Sequence, residues 1–76
     1  MTDLRDKYVE VVNHFGNQHK TAEALGCSQP LVWKWVNEKS DISPILALRA
    51  QKASAGKFKA SELSPELAEF AGMIIH

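Results

Sequence analysis

The stretch HFGNQHKTAEALGCSQPLVWKW, residues 14–35, carries two short helical patterns separated by one turn. Asn17 is a good N-cap, because its short side chain accepts from the exposed amides of a first turn. Thr21, Ala22 and Leu25 then make an inward stripe of about two turns, and Gly26 supplies the positive φ that a tight turn needs. Ser28 caps the next helix, with Pro30 in its first turn where a missing amide is harmless. On that helix Val32, Trp35 and Val36 cluster on one side, while Gln29, Pro30, Trp33, Lys34 and Asn37 cover the other. Ala22 is small because the second helix crosses it closely, and Leu25, Cys27, Val32 and Trp35 fill the wedge between the two. Polar Thr21 stands where an apolar residue is usual; its methyl serves. This is the layout of a helix-turn-helix, whose second helix enters the major groove.

The two tryptophans sort themselves by angle. Neighbours at i and i+2 on a helix point roughly 200° apart, so both cannot be core. Trp35 lies on the inward side and is the core residue; Trp33 is displayed. The alternatives for Trp33 are contact with DNA, folding over the protein's own surface, or filling a dimer interface.

Outward from this motif, Leu4, Tyr8, Val11, Val12 and Phe15 repeat at helical spacing, capped by Thr2 or Asp3 and ended by Gly16. After the polar NEKSD segment, Asp41 or Ser43 caps a fourth helix with Pro44 near its start and Gly56 closing it. Ile45, Leu46, Leu48 and Ala50 give that helix mostly buried surface, with Arg49 and Lys52 outward. GKFKASEL, residues 56–63, fits a short helix, a loop or a strand equally. Ser64-Pro65-Glu66 marks a last helix start, and Leu63, Leu67, Phe70, Ala71 and Ile74 follow at helical spacing. That stripe either packs back on the first helix or forms a subunit interface through Leu67, Phe70 and Ile74.

Seventy-six residues make a single domain spanning 1–76, with 57–76 as a C-terminal extension packing on the core or forming a dimer interface. The 45% hydrophobic and 24% charged fractions are ordinary for a globular chain. The charged start and the lack of any apolar run near ~18 residues point to a cytoplasmic protein with no membrane partner. Cys27 is the single cysteine, so no intrachain disulfide forms, and it reads as a small buried hydrophobe. His14, His19 and His76 lack metal-ligand spacing, so no metal and no cofactor are expected. No nucleophile with a base, glycine-rich phosphate loop or paired carboxylates stand out, so catalytic residues and a small-molecule substrate are not expected. The net charge is zero, yet residues 20–59 hold seven bases against three acids, a surplus of four balanced by acidic ends. A basic middle is compatible with a one-sided polyanion-binding face.

Residues 14–35 resemble the Cro repressors of lambdoid phages and the related Cro-like and YdaS-type bacterial regulators. The resemblance rests on Phe15-Gly16, Gln18, Ala22, Ala24-Leu25-Gly26, Ser28-Gln29, Val32 and Lys34-Trp35, and runs over roughly residues 4–55. It implies a sequence-specific transcriptional repressor that binds operator DNA, typically as a symmetric pair, within a lysis–lysogeny switch. Members of that family end either in helices or in a β-hairpin. The expected fold is therefore an all-α compact bundle of about five short helices, the alternative being α+β with a C-terminal β-hairpin. Asn-Gly or Asp-Gly hairpin chemistry is absent here, which favours all-α.

The resemblance places the family's base-reading positions on Gln29, Pro30, Trp33 and Lys34. Gln29 has the amide for bidentate pairing with adenine, Pro30 and Trp33 offer apolar surface to thymine methyls, and Lys34 reaches guanine or a phosphate. Trp33 departs from the family pattern, where that position is small or polar, and its bulk bears on the depth of groove insertion. Asn17, Gln18 and Lys20 at the start of the second helix, and Asn37, Lys39 and Ser40 past the third, are the candidate DNA-backbone contacts. The implied partners are double-stranded operator DNA and a second copy of the chain, a homodimer at least on DNA. The rival reading is a helix-turn-helix-shaped protein-interaction module, an adaptor or antitoxin-like partner, which zero net charge and a displayed Trp33 also fit. The sign of regulation is not written in the residues.

Overall fold

The computed structural model describes residues 3–74, with side chains described for 4–69. Among the described residues six helices follow one another: α1 (Asp3–Phe15), α2 (Gln18–Leu25), α3 (Gln29–Val36), α4 (Pro44–Ala53), α5 (Ala60–Leu63) and α6 (Pro65–Ile74). The fold is all-α, and no strand occurs among the described residues. The segment 56–63 resolves into a loop and the one-turn α5, so the helix count exceeds the expected five.

The turn chemistry works much as the residues dictate. Asn17 Oδ1 accepts from the Lys20 amide at 2.8 Å. Gly26 sits at φ 70°, ψ 40°, and the Cys27 amide donates to the Ala22 carbonyl at 2.9 Å while the Gly26 amide donates to Glu23 at 3.3 Å. That pair of bonds is a Schellman stop, which needs a left-handed residue at its centre. A Cβ at Gly26 would also stand 3.1 Å from Arg49 Nη1. Ser43, of the two candidates, caps α4, its Oγ accepting from Leu46 at 3.3 Å. Ser28 holds the N-cap position of α3 in extended conformation, but its side chain makes no capping bond. Pro30, which has no amide to satisfy, leaves that first turn less in need of one.

The core is one cluster. Tyr8 and Val11 of α1, Ala22 and Leu25 of α2, Val32 and Trp35 of α3, Leu46, Ala47 and Ala50 of α4, with Ile42, Phe58, Ala60 and Leu63, are all buried. Two expectations for α4 need correction. Ile45 and Leu48 are 64% and 52% exposed, and the helix instead buries Leu46, Ala47 and Ala50. Alanines at 47 and 50 let the backbones of α4 and its neighbours come close, so the small residues, not the largest ones, mark the inward face. α4 also ends at Ala53, before Gly56, with Ala55 at φ 54° in the stop and Gly56 donating to Gln51 at 2.8 Å. Cys27 is half-buried against the core, not fully enclosed.

Three side chains fasten the motif to its support through long-range hydrogen bonds. Tyr8 Oη donates to the Leu63 carbonyl and accepts from the Ile42 amide, both at 3.1 Å, tying α1 to α5 and to the segment before α4. Arg5 Nε donates to the Val36 carbonyl at 2.9 Å, at the C-terminus of α3. Arg49 Nη1 donates to the Leu25 carbonyl at 3.1 Å and reaches that of Gly26 at 3.5 Å, at the C-terminus of α2. Each guanidinium thus meets carbonyls that a helix end leaves unpaired and sits at the negative end of the helix dipole. Arg49 is exposed, as its place on the outward side of α4 implies, and its guanidinium also clasps the turn.

Leu67, at the start of the C-terminal stripe, is half-buried against the core. The side chains of Phe70 and Ile74, named above as interface candidates, lie outside the described residues.

Candidate nucleic-acid interface

α2 and α3 present one surface whose shape follows from what they bury. Thr21 is fully buried, and its hydroxyl donates to the Asn17 carbonyl at 2.8 Å, so its methyl fills the core without leaving a polar atom unpaired. Val32 and Trp35 are buried, Trp35 tilted 40° against Tyr8 with ring centroids 6.1 Å apart. Trp35 Nε1 is buried with no hydrogen-bond partner among the described residues, so this tryptophan serves by volume and not by its N–H. With that side anchored, rotation about α3 brings Gln29, Pro30, Trp33 and Lys34 to the outside, and all four are exposed. Trp33 is 46% exposed, which answers the choice between the two tryptophans as the helical angle requires.

The structure gathers these four residues with half-buried Gln18 of α2 around one open concavity. At the start of α2 the Lys20 and Thr21 amides are taken by Asn17, through Oδ1 and the carbonyl respectively. By helix geometry the remaining first-turn amides, those of Gln18 and His19, point out of the helix start. Lys20 is exposed, and the stem of its side chain lies over Gly16, where a Cβ would come within 3.0 Å of Lys20 Cδ. His19 pairs with Glu23 at 3.6 Å, one turn along the same helix. At the other end of α3, Asn37 Nδ2 donates to the Trp33 carbonyl at 2.8 Å, engaging one of its two amide hydrogens. Lys39 and Ser40 are exposed in the turn that follows, both amides donating to Lys34, at 2.8 and 3.4 Å.

Not all of the basic middle joins this surface. Arg49 is engaged at the turn, and Lys57 and Lys59 line a separate groove with Lys7, Glu10, Asn13, His14 and Glu62. In that groove Lys7 pairs with Glu62 at 3.7 Å and Lys57 stands 5.6 Å over the Phe58 ring. Burial raises the Cys27 thiol above its ordinary value, with the Arg49 charge opposing. The residues that sequence reasoning missed are the positioning ones, Arg5, Tyr8 and Arg49. Their partners lie 23 to 55 positions away along the chain, and no local pattern announces them.

No group of three or more histidine, cysteine, aspartate or glutamate side chains that could hold a metal occurs among the described residues. Nor is any helix there long and apolar enough to cross a membrane.

Comparison with known proteins follows the same line. The family described as bacterial toxin YdaS matches residues 9–69. The regulatory protein cro of Pseudomonas phage D3 is 48% identical over 58 residues, 76% of this chain and 80% of that protein. No solved structure gives a significant match. The matched span takes in α2 to α5 whole and about half each of α1 and α6. The chain belongs to the YdaS-type, Cro-like family of phage helix-turn-helix regulators.

Proposed function

We propose that this protein is a sequence-specific, DNA-binding transcriptional repressor that reads operator duplex through α3 laid in the major groove. The observation that carries the reading is the outward face of α3. Gln29, Pro30, Trp33 and Lys34 stand exposed together, with no carboxylate among the residues lining their concavity, while Val32 and Trp35 fix the helix from behind. Gln29 reads adenine, Lys34 a guanine edge or a phosphate, and the apolar pair reads thymine methyls. Asn17, Gln18 and Lys20 hold one phosphate run at the α2 start, and Asn37, Lys39 and Ser40 hold another beyond α3; these fix register without reading sequence.

One domain of this size makes few phosphate contacts, so two copies on half-sites about 34 Å apart supply the affinity. The second copy is met by the C-terminal extension, through Leu67, Phe70 and Ile74. The protein acts without catalysis, in the bacterial cytoplasm where its operator lies.

Selection from a randomised duplex library tests this. Enrichment of an inverted repeat with half-sites one turn apart, bound well above scrambled duplex at two salt concentrations, is the expected result. A second reading, a protein-interaction module of helix-turn-helix shape, draws on the exposed Trp33 and on the toxin description of the matched family. Under that reading nothing is enriched, and residual binding vanishes at moderate salt without sequence preference.

A further inference from the structure

α4 and α6 are amphipathic helices of opposite charge. α4 buries Leu46, Ala47 and Ala50, which leaves Ile45, Leu48 and Lys52 along its other side at i, i+3 and i+7. Ile45 is 64% and Leu48 52% exposed, so the chain does not cover this side itself. α4 holds no acid; its charges are Arg49 and Lys52, both exposed. α6 is the reverse. Its sequence PELAEFAGMI holds Glu66 and Glu69, both exposed, and no base. Leu67, Phe70 and Ile74 repeat along it at the same i, i+3 and i+7 spacing. Among the described residues α6 packs on α5 and makes no comparable contact with α4. Nor do Lys52, Glu66 and Glu69 have an ion-pair partner among those residues.

We infer that the outer face of α4 receives α6 of a second copy, so that two copies pair reciprocally, each α4 covered by the other's α6. The inference rests on the C-terminal extension meeting a second copy, as proposed above, and names the surface that it meets. Charge decides among the pairings. α4 against α4 would set Arg49 and Lys52 beside their own duplicates, and α6 against α6 would do the same for Glu66 and Glu69. The crossed pairing sets bases against acids, with Ile45 and Leu48 under the apolar stripe. Arg49 commits Nη1 to the α2–α3 turn, and a guanidinium has further donors for a carboxylate. Size agrees. A ten-residue helix is about 15 Å long, too short to bury alone the ~1,200 Å² of a stable interface, and two-fold symmetry supplies the contact twice. A copy seated there lies beside the helix-turn-helix, because Arg49 of the same helix clasps its turn.

Sedimentation equilibrium of the full chain, followed by titration of the enriched operator, tests this. Wild type should self-associate and fill the two half-sites cooperatively. Leu48→Glu, at a position exposed in the single chain, should keep its helices by circular dichroism and weaken association ~10–100-fold, since each dimer loses the contact twice. It should also fill half-sites independently, with its affinity for a single half-site unchanged. Lys52→Glu and Glu66→Lys should each weaken association ~3–30-fold, and the chain carrying both should recover it. The inference is overturned if Leu48→Glu associates like wild type, or if the double variant shows no recovery. Should Leu48→Glu lose its fold, the charge pair decides. Association weakened by Glu66→Lys but by neither change in α4 would keep the C-terminal interface and reject α4 as its receiver. A wild type that stays monomeric and fills half-sites independently would overturn the pairing of copies altogether. Failure to read DNA looks different again, because then no operator is enriched while sedimentation still reports the pairing.

Discussion

Replacing Tyr8 by Phe removes one oxygen from the centre of the fold. The ring stays against Trp35, so little volume is lost. The Ile42 amide then loses its acceptor and the Leu63 carbonyl loses a donor, both at buried bonds. Leaving a buried backbone donor unpaired costs about 1–3 kcal/mol, and the carbonyl adds a smaller penalty, for a total of about 2–4 kcal/mol. A 76-residue domain has only about 4–11 kcal/mol in all, so the variant surrenders a large share of its stability. The melting temperature should fall by roughly 8–32 °C, at about 4–8 °C per kcal/mol for a domain of this size. Urea unfolding followed by far-ultraviolet circular dichroism measures the free energy directly. DNA affinity at low temperature should hold, because Tyr8 lies on the core side of α3 and touches none of its exposed face. A loss below about 0.5 kcal/mol, the range of an ordinary surface substitution, refutes the idea that this hydroxyl joins α1, α5 and the approach to α4.

Burial raises the Tyr8 phenol above its usual value, the Ile42 amide opposing and the Asp41 charge adding, so the unfolded chain ionises first as the solution becomes alkaline. The corresponding stability is fully present below about pH 10 and is lost as pH rises through the folded value. Unfolding titrations above pH 9 should slope downward in wild type and less so in Tyr8→Phe. Ala55→Gly relieves a left-handed residue at φ 54° and should stabilise by about 0.5–1 kcal/mol after the added freedom of the unfolded chain is counted, read as a higher melting temperature. Ile45→Ala should change stability by no more than about 0.5 kcal/mol, whereas Leu46→Ala, one position along and buried, should cost about 2–5 kcal/mol. Equal losses in that pair would reverse the facing of α4.

The parts of this fold that could be read from the chain are those decided by neighbours in sequence. Asn17, Gly26 and Pro30 each act within a few residues, and they set the limits of α2 and α3 correctly. The two tryptophans separate by angle alone. α4 was harder, because Ile45, Leu46 and Leu48 are equally apolar while the inward face is marked by Ala47 and Ala50, whose small size reports close approach and not hydropathy. Residues 56–63 were open because Phe58 and Ala60 are buried in a segment too short to show a period. The site divides in the same way. Exposed α3 residues follow from helical geometry, but the arginines that hold the helix ends act across 24 and 31 residues, which only the folded chain brings together.

The most direct measurement is the binding free energy of Gln29→Ala against every single-base variant of the enriched operator. If α3 reads DNA as proposed, the substitution costs ~1–3 kcal/mol on the intact operator and flattens the preference at one base pair of each half-site, leaving the other positions unchanged. A loss spread evenly over all sequences, or no loss, would mean that this face of α3 does not read bases.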